Sequence, residues 1–254
     1  MKFLFIGDIA GRAGRRAVRE LMPGIIEEHN IDLVIANAEN AAGGFGLNKK
    51  VAEELFDYGI DILTMGNHTW KNKGIFKFID QEPRIVRPLN FAPGVPGRGY
   101  SNFLKNGRRI TVVNLIGQIY IGPHDSPFRT IRDQLDSLKR ESDIIIVDFH
   151  AEATGEKGAM GYYLDGQVDC VYGTHTHVQT NDAKILPKGT AFISDLGLTG
   201  AVDSILGMKP GPIVKKHLTG LHTKFEVGTG AVQLAGAIFD HKENNIFPVR
   251  INDV

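Results

Sequence analysis

Apolar runs and amphipathic stretches take turns along the first third of this chain, and that alternation constrains its fold more than any other feature. "KFLFI" (2–6) is followed by a helical "RRAVRELMPGIIEEH" (15–29), with a break expected at Pro23, and then by an apolar "DLVIAN" (32–37). A helical "NKKVAEELFDYG" (48–59), an apolar "DILTM" (61–65) and, after "KNKGIFKFID", a short "RIVRP" (84–88) continue the series. This β-α-β-α-β order argues for parallel strands with helices packed on them. "PLNFAPGVPGRGY" (88–100) interrupts it, since three prolines and three glycines make a loop. "NFLKNGRRITVVNLIG" then reads as two strands around Asn106-Gly107, a strong hairpin signal. A helical "FRTIRDQLDSLKRE" (128–141), an apolar "DIIIVDF" (143–149) and the strand-like "VDCVY" (168–172) resume the alternation. After Thr190 the runs "TAFIS", "TKFEV", "GAVQLAGAIF" and "IFPVRI" suggest a second, more antiparallel sheet. With 254 residues and no linker-like segment, we read residues 1–254 as one domain.

The polar residues that directly follow each apolar run are the informative ones, because ligands of open α/β sheets sit beyond the carboxyl ends of the strands. "GD" brings Asp8, "AEN" brings Glu39 and Asn40, and "GNH" brings Asn67 and His68. "IIIVDF" leads to His150, and "GTHTH" places His175 and His177 after the last of these strands. If that strand simply continued, the two rings would share one face. Oxygen and imidazole donors without a thiolate suit Mn, Fe(II), Zn or Co in a catalytic site. Seven or eight ligands are too many for one ion, and two ions about 3.5–4 Å apart need a shared carboxylate. Glu39 or Asp8 must bridge.

Bulk electrostatics point to no further partner. Lys and Arg number 29, as do Asp and Glu, so bulk charge advertises neither a long nucleic acid, whose tracking normally needs a basic stripe, nor a membrane surface. Any anionic ligand must be held by a local site. One cysteine, no membrane-length apolar run and an apolar N-terminal stretch too short for a signal peptide suit a cytoplasmic protein.

The order of an Asp, a second acid, G-N-H, a lone His and G-x-H-x-H resembles the calcineurin-like metallophosphoesterases. "FIGD", "NAEN", "GNH", "FHAEAT" and "GTHTH" are similar in detail to their YmdB-like branch, from about residue 3 to about residue 210. Three departures from the wider superfamily are shared by that branch: no His two residues after Asp8, Glu39 where an Asp usually bridges, and Thr69 where an acid follows Asn67-His68. The resemblance implies a four-layer α/β/β/α sandwich of two mixed β-sheets flanked by helices. It further implies that Asp8, Glu39, Asn40 and His177 hold one divalent ion and Glu39, Asn67, His150 and His175 the other. Iron or manganese is foremost, zinc or cobalt also suited. His68, left without a metal, would protonate the leaving oxygen while a hydroxide bridging the ions attacks phosphorus in line. The implied activity is that of a phosphodiesterase on a small phosphodiester such as a 2′,3′-cyclic nucleotide, in a homo-oligomer. Other readings are a regulatory protein that binds metal or nucleotide with little turnover, a phosphomonoesterase or nuclease, and a metal-dependent amidohydrolase.

Several features have ordinary explanations. "GDIAGRAGRR" (7–16) lacks dinucleotide-loop spacing, and Asp8 would repel a pyrophosphate. Arg12, Arg15 and Arg16 read as a solvated helix face, "AAGGFG" (41–46) as a tight turn, and Cys170 as a small buried hydrophobe. Asp148 and Glu152 flank His150 and either orient its ring or are solvated. Asp195 reads as a turn initiator, and His29, His124, His217, His222 and His241 as surface residues.

Overall fold

The computed structural model describes residues 1–253. In strand β1 (Lys2–Ile6), Phe3 and Phe5 pack on one side and Leu4 and Ile6 on the other, all buried. The two-residue period of a strand gives this arrangement when both sheet faces are covered. Next come β2 (Asp8–Ile9), α1 (Gly11–His29), β3 (Leu33–Asn37), α2 (Lys49–Asp57), β4 (Ile62–Thr64) and β5 (Ile85–Val86). β1, β3, β4 and β5 are parallel neighbours, as the alternation requires. The hairpin β6 (Tyr100–Lys105) and β7 (Arg108–Ile116) turns at Asn106 and Gly107, with φ of 51° and 73°. The chain continues through α3 (Pro127–Glu141), β8 (Ile144–His150), α4 (Thr154–Leu164), β9 (Cys170–Thr174), β10 (Lys184–Ile185) and β11 (Ala191–Ile193). It ends with β12 (Leu198–Ala201), α5 (Pro210–Thr219), β13 (Val232–Asp240) and β14 (Asn245–Asn252).

Two mixed sheets result. One has the order β2-β12-β13-β1-β3-β4-β5, with β14 also paired to β13; the other has the order β10-β11-β9-β8-β7-β6. Phe3, Phe5 and Ile35 of the first meet Ile110, Ile146 and Tyr172 of the second. The Phe5 and Tyr172 rings lie 4.5 Å apart. Val18, Met22 and Ile25 of α1 and Leu55 of α2 cover the outer face of the first sheet. Ile131 and Leu135 of α3 and Met160 and Leu164 of α4 cover the second. The four layers are those expected, each fully buried Leu, Ile, Phe or Met contributing about 1.5–3 kcal/mol.

Two expectations need correction. Helix α1 begins at Gly11 and passes through Pro23 without a break. Pro23 faces solvent beside buried Met22, so the carbonyl it frees, that of exposed Arg19, lies on the open side of the helix, and the apolar stripe offsets an interior-proline penalty of about 3 kcal/mol. The late apolar runs build no sheet of their own. β13 inserts antiparallel between β1 and β14, β11 extends the second sheet parallel to β9, and "TKFEV" contributes one bridge, Val227 to Met208. Antiparallel pairing needs no crossover, so a strand from the end of the chain can join the first one. Among the described residues, no helix is long and apolar enough to cross a membrane.

Candidate active site

Parallel strands end at a common edge, and here two sheets bring their ends together. Asp8 opens β2, Glu39 and Asn40 follow β3, and Asn67 and His68 follow β4 in the first sheet. His150 ends β8, and His175 and His177 follow β9 in the second. Asn37, the last residue of β3, sets the first exit: its side-chain oxygen accepts from the Glu39 N–H, and its amide nitrogen donates to the Met65 carbonyl. All eight residues read from the sequence converge at the seam between the sheets.

Glu39 is central. Its Oε1 lies 3.3 Å from His150 Nε2 and 3.1 Å from His68 Nδ1, while its Oε2 accepts from the His68 backbone N–H at 2.7 Å. His150 Nε2 is 2.8 Å from Asn67 Oδ1 and 3.1 Å from His175 Nδ1. One donor atom each from Glu39, His150 and His175 fall within 4.8 Å of one another. On the other side, His177 Nε2 is 3.6 Å from Asp8 Oδ1 and 3.2 Å from Asn40 Nδ2.

The hydrogen bonds behind these atoms decide what the atoms can do. His177 Nδ1 donates to the Leu206 carbonyl at 3.0 Å, which leaves Nε2 as the ring atom that a metal ion, or in its absence a proton, can occupy. Thr174 Oγ1 donates to Asp148 Oδ1 at 2.8 Å and accepts from His150 Nδ1 at 2.9 Å, so His150 Nε2 is likewise the ring atom open to a metal ion or a proton. Asp148 therefore orients His150 through Thr174, whereas Glu152 Oε2 sits 3.1 Å from His175 Nε2. Asp8 Oδ1 is buried without a hydrogen-bond partner. Acceptors thus face one another at distances suited to a common ion, since ligands about 2.1 Å from one cation stand about 3.0–3.4 Å apart. The residues fit divalent metal. Asn40 is the exception, its oxygen pointing to His68 Nδ1 at 2.7 Å and its nitrogen to His177.

Electrostatics agree with a cage that demands positive charge. Burial by itself raises the Asp8 carboxyl, but His177 and His150 outweigh it and hold the pKa below the ordinary value. Burial raises Glu39 too, and His150 and His68 pull it well below the carboxylate range. Burial lowers His177, yet Asp8 carries it up to about 9. Burial and the charge of His150 push His175 down to about 3.

The second sheet does not present His175 and His177 by strand periodicity, contrary to the alternation argument. The strand stops at Thr174, and both histidines have positive φ, 104° and 63°. Such backbone costs about 1–3 kcal/mol per residue and must be held from behind. Asp195 holds it. Its Oδ2 accepts from the Thr176 N–H at 3.0 Å and from Lys157 Nζ at 2.6 Å, and its Oδ1 accepts from the Gly197 N–H at 2.8 Å. The turn expected at Asp195 is present, and its second oxygen supports the site. Lys157, buried on α4, had no mark in the sequence.

The remaining candidates lie outside this cluster. Arg15 bonds Glu54 and the Ala41 carbonyl, Arg16 bonds Gly230 and Asp253, and Arg12 is exposed. Burial raises the Cys170 thiol well above its usual pKa, as befits a core hydrophobe. His124, read as a surface residue, is half-buried with its ring 5.3 Å from that of Phe91.

Known proteins resemble this chain in sequence and in fold. A family model described as YmdB-like protein matches residues 4–254. The chain is 44% identical over 254 residues to a 2′,3′-cyclic-nucleotide 2′-phosphodiesterase of Bacillus subtilis, covering all of this chain and 96% of that protein. The crystal structure of a novel phosphatase from Mycoplasma pneumoniae superposes with a TM-score of 0.91 at 36% identity, over 99% of this chain and 93% of the other. The NAD nucleotidase of Haemophilus influenzae shares the fold alone, with a TM-score of 0.56 at 14% identity over 100% of this chain and 56% of that one.

Proposed function

The chain belongs to the YmdB-like protein family, and from that premise we propose that it is a two-metal phosphodiesterase that opens 2′,3′-cyclic nucleotides. The observation that carries the reading is the set of buried, mutually facing acceptors around Glu39, with Asp8 Oδ1 left unpartnered. Asp8, Asn40 and His177 would hold one divalent ion, Asn67, His150 and His175 the other, and Glu39 both. Two such ions, iron or manganese foremost, would supply positive charge for the phosphoryl oxygens and an acidified water. The Bacillus subtilis relative, named for this substrate class, supports the choice of ester.

The chain's own groups supply orientation and the proton. Thr174 and the Leu206 carbonyl fix the tautomers of His150 and His177. Asn40 would bind the ion through its side-chain oxygen, which also faces His68 Nδ1 at 2.7 Å. With Nδ1 donating to the Asn40 and Glu39 oxygens, Nε2 is the ring atom left to carry a second proton. From there it can pass to the ribose oxygen expelled when the cyclic ester opens.

The test pairs two variants with elemental analysis. His68→Ala is expected to keep its metal while turnover falls about 10²–10⁴-fold. Glu39→Gln is expected to lose both. Retained turnover in Glu39→Gln removes the bridging assignment, and undiminished turnover in His68→Ala removes the proton donor.

A further inference from the structure

A cavity of about 320 Å³ opens directly beside the candidate site, with Asn40, His68 and His177 forming one of its walls. The opposite wall is Leu206, Met208, Ile213 and Phe225, and Phe45 closes one side. Its position restricts its occupant. A group attached to a phosphate held in the site can reach into it, because the two spaces share His68 and His177. Its size is at the lower end for small-molecule pockets, roughly 300–1,000 Å³, which suits a single base rather than an oligonucleotide.

The cavity is built by two segments that meet. Gly44 has a φ of 97°, and a Cβ there would stand 2.9 Å from Val227 and 3.1 Å from Met208. Glycine thus lets the Phe45 loop close on the chain between β12 and β13. That chain is drawn together by the Met208–Val227 bridge and the Lys209–Glu226 ion pair at 2.7 Å. It is tied to the site by the Leu206 carbonyl that accepts from His177. Phe45 already packs edge-on against His68 at 5.1 Å, so an aromatic surface and the proposed proton donor are neighbours.

Resting on the phosphodiesterase reading, we propose that this cavity is the base subsite: Phe45, Met208 and Phe225 take up the nucleobase and make the enzyme selective for nucleoside over base-free phosphodiesters. It discriminates little among bases. Beyond the site residues, its polar side chains are Lys216 and His217, both exposed, and no buried amide or hydroxyl faces it to read a base edge. Stacking is tolerant because every base offers a π face.

The experiment compares the four 2′,3′-cyclic nucleotides with ribose 2,3-cyclic phosphate, the same diester without a base, using metal-loaded protein. Wild type is expected to favour the nucleotides about ten- to a hundredfold in kcat/KM, with small differences among them. Phe225→Ala and Met208→Ala should raise KM for the nucleotides and leave the base-free ester unchanged, which also reports that the variants are folded. Equal use of both ester types by wild type overturns the proposal, as does an equal loss on both in the variants. Calorimetric binding of a nucleoside 3′-phosphate against ribose 3-phosphate reads the same preference without turnover. A protein that cleaves no diester yet prefers the nucleoside ends the phosphodiesterase reading and sustains the subsite.

Discussion

Single residues at this site are constrained by space as much as by charge. A Cβ on Gly66 would lie 2.3 Å from the His150 ring and 2.5 Å from Glu39 Oε2. No side chain fits there, so the glycine before Asn67 and His68 is part of the cage. Gly66→Ala should fold with a loss of about 1–3 kcal/mol from overpacking and bind far less metal by elemental analysis. Charge acts at Asp8, which carries His177 up to about 9 against burial. In metal-free protein a folded pKa raised above the unfolded 6.5 gives stability that is full below about pH 6.5 and lost as pH rises through about 9. The loss is on the order of 3 kcal/mol. Urea unfolding of chelated protein across that range should show it. Asp8→Asn, which removes the partner charge, should flatten the profile, and a slope unchanged in the variant would reject this origin.

Elements explain what was legible in the chain and what was hidden. The strands up to β9 and their exits could be read because apolar runs ended on donors, and Asp8, Glu39, Asn40, Asn67, His68, His150, His175 and His177 all came from that pattern. Helix α4 was hidden. "TGEKGAMGYYL" has glycines at 155, 158 and 161, and its charged Glu156 and Lys157 are buried, the reverse of an amphipathic signal. Glu156 accepts from the Gln118 and Ile119 N–H groups, so it holds a loop after β7. Helix α5 was hidden because none of its residues is buried, leaving no stripe to recognise. The role of α4 is testable through Lys157, whose loss leaves Asp195 buried and unpaired. Lys157→Met should cost about 3–5 kcal/mol in urea unfolding, and adding Asp195→Asn should recover much of it. Strictly additive losses would show that the pair does not act as a unit.

At the scale of the whole molecule, the site is a seam. Asp8, Glu39, Asn40 and Asn67 come from the first sheet and His150, His175 and His177 from the second, so cations held among them would join the layers at the edge where the strands end. Elsewhere the sheets meet through apolar packing such as Phe5 on Tyr172, whereas here buried carboxylates face imidazoles. Metal at about a thousand times its dissociation constant adds about 4 kcal/mol to a folded state that alone binds it. For a chain of this size about 1 kcal/mol corresponds to roughly 2–4 °C, so loading should raise Tm by about 8–16 °C and chelation should reverse it. His150→Ala removes a ligand from the second sheet and Asp8→Asn one from the first, and each should abolish most of the rise. A loaded protein that contains two equivalents of metal and melts where the chelated protein melts would mean that the ions are held without joining the sheets.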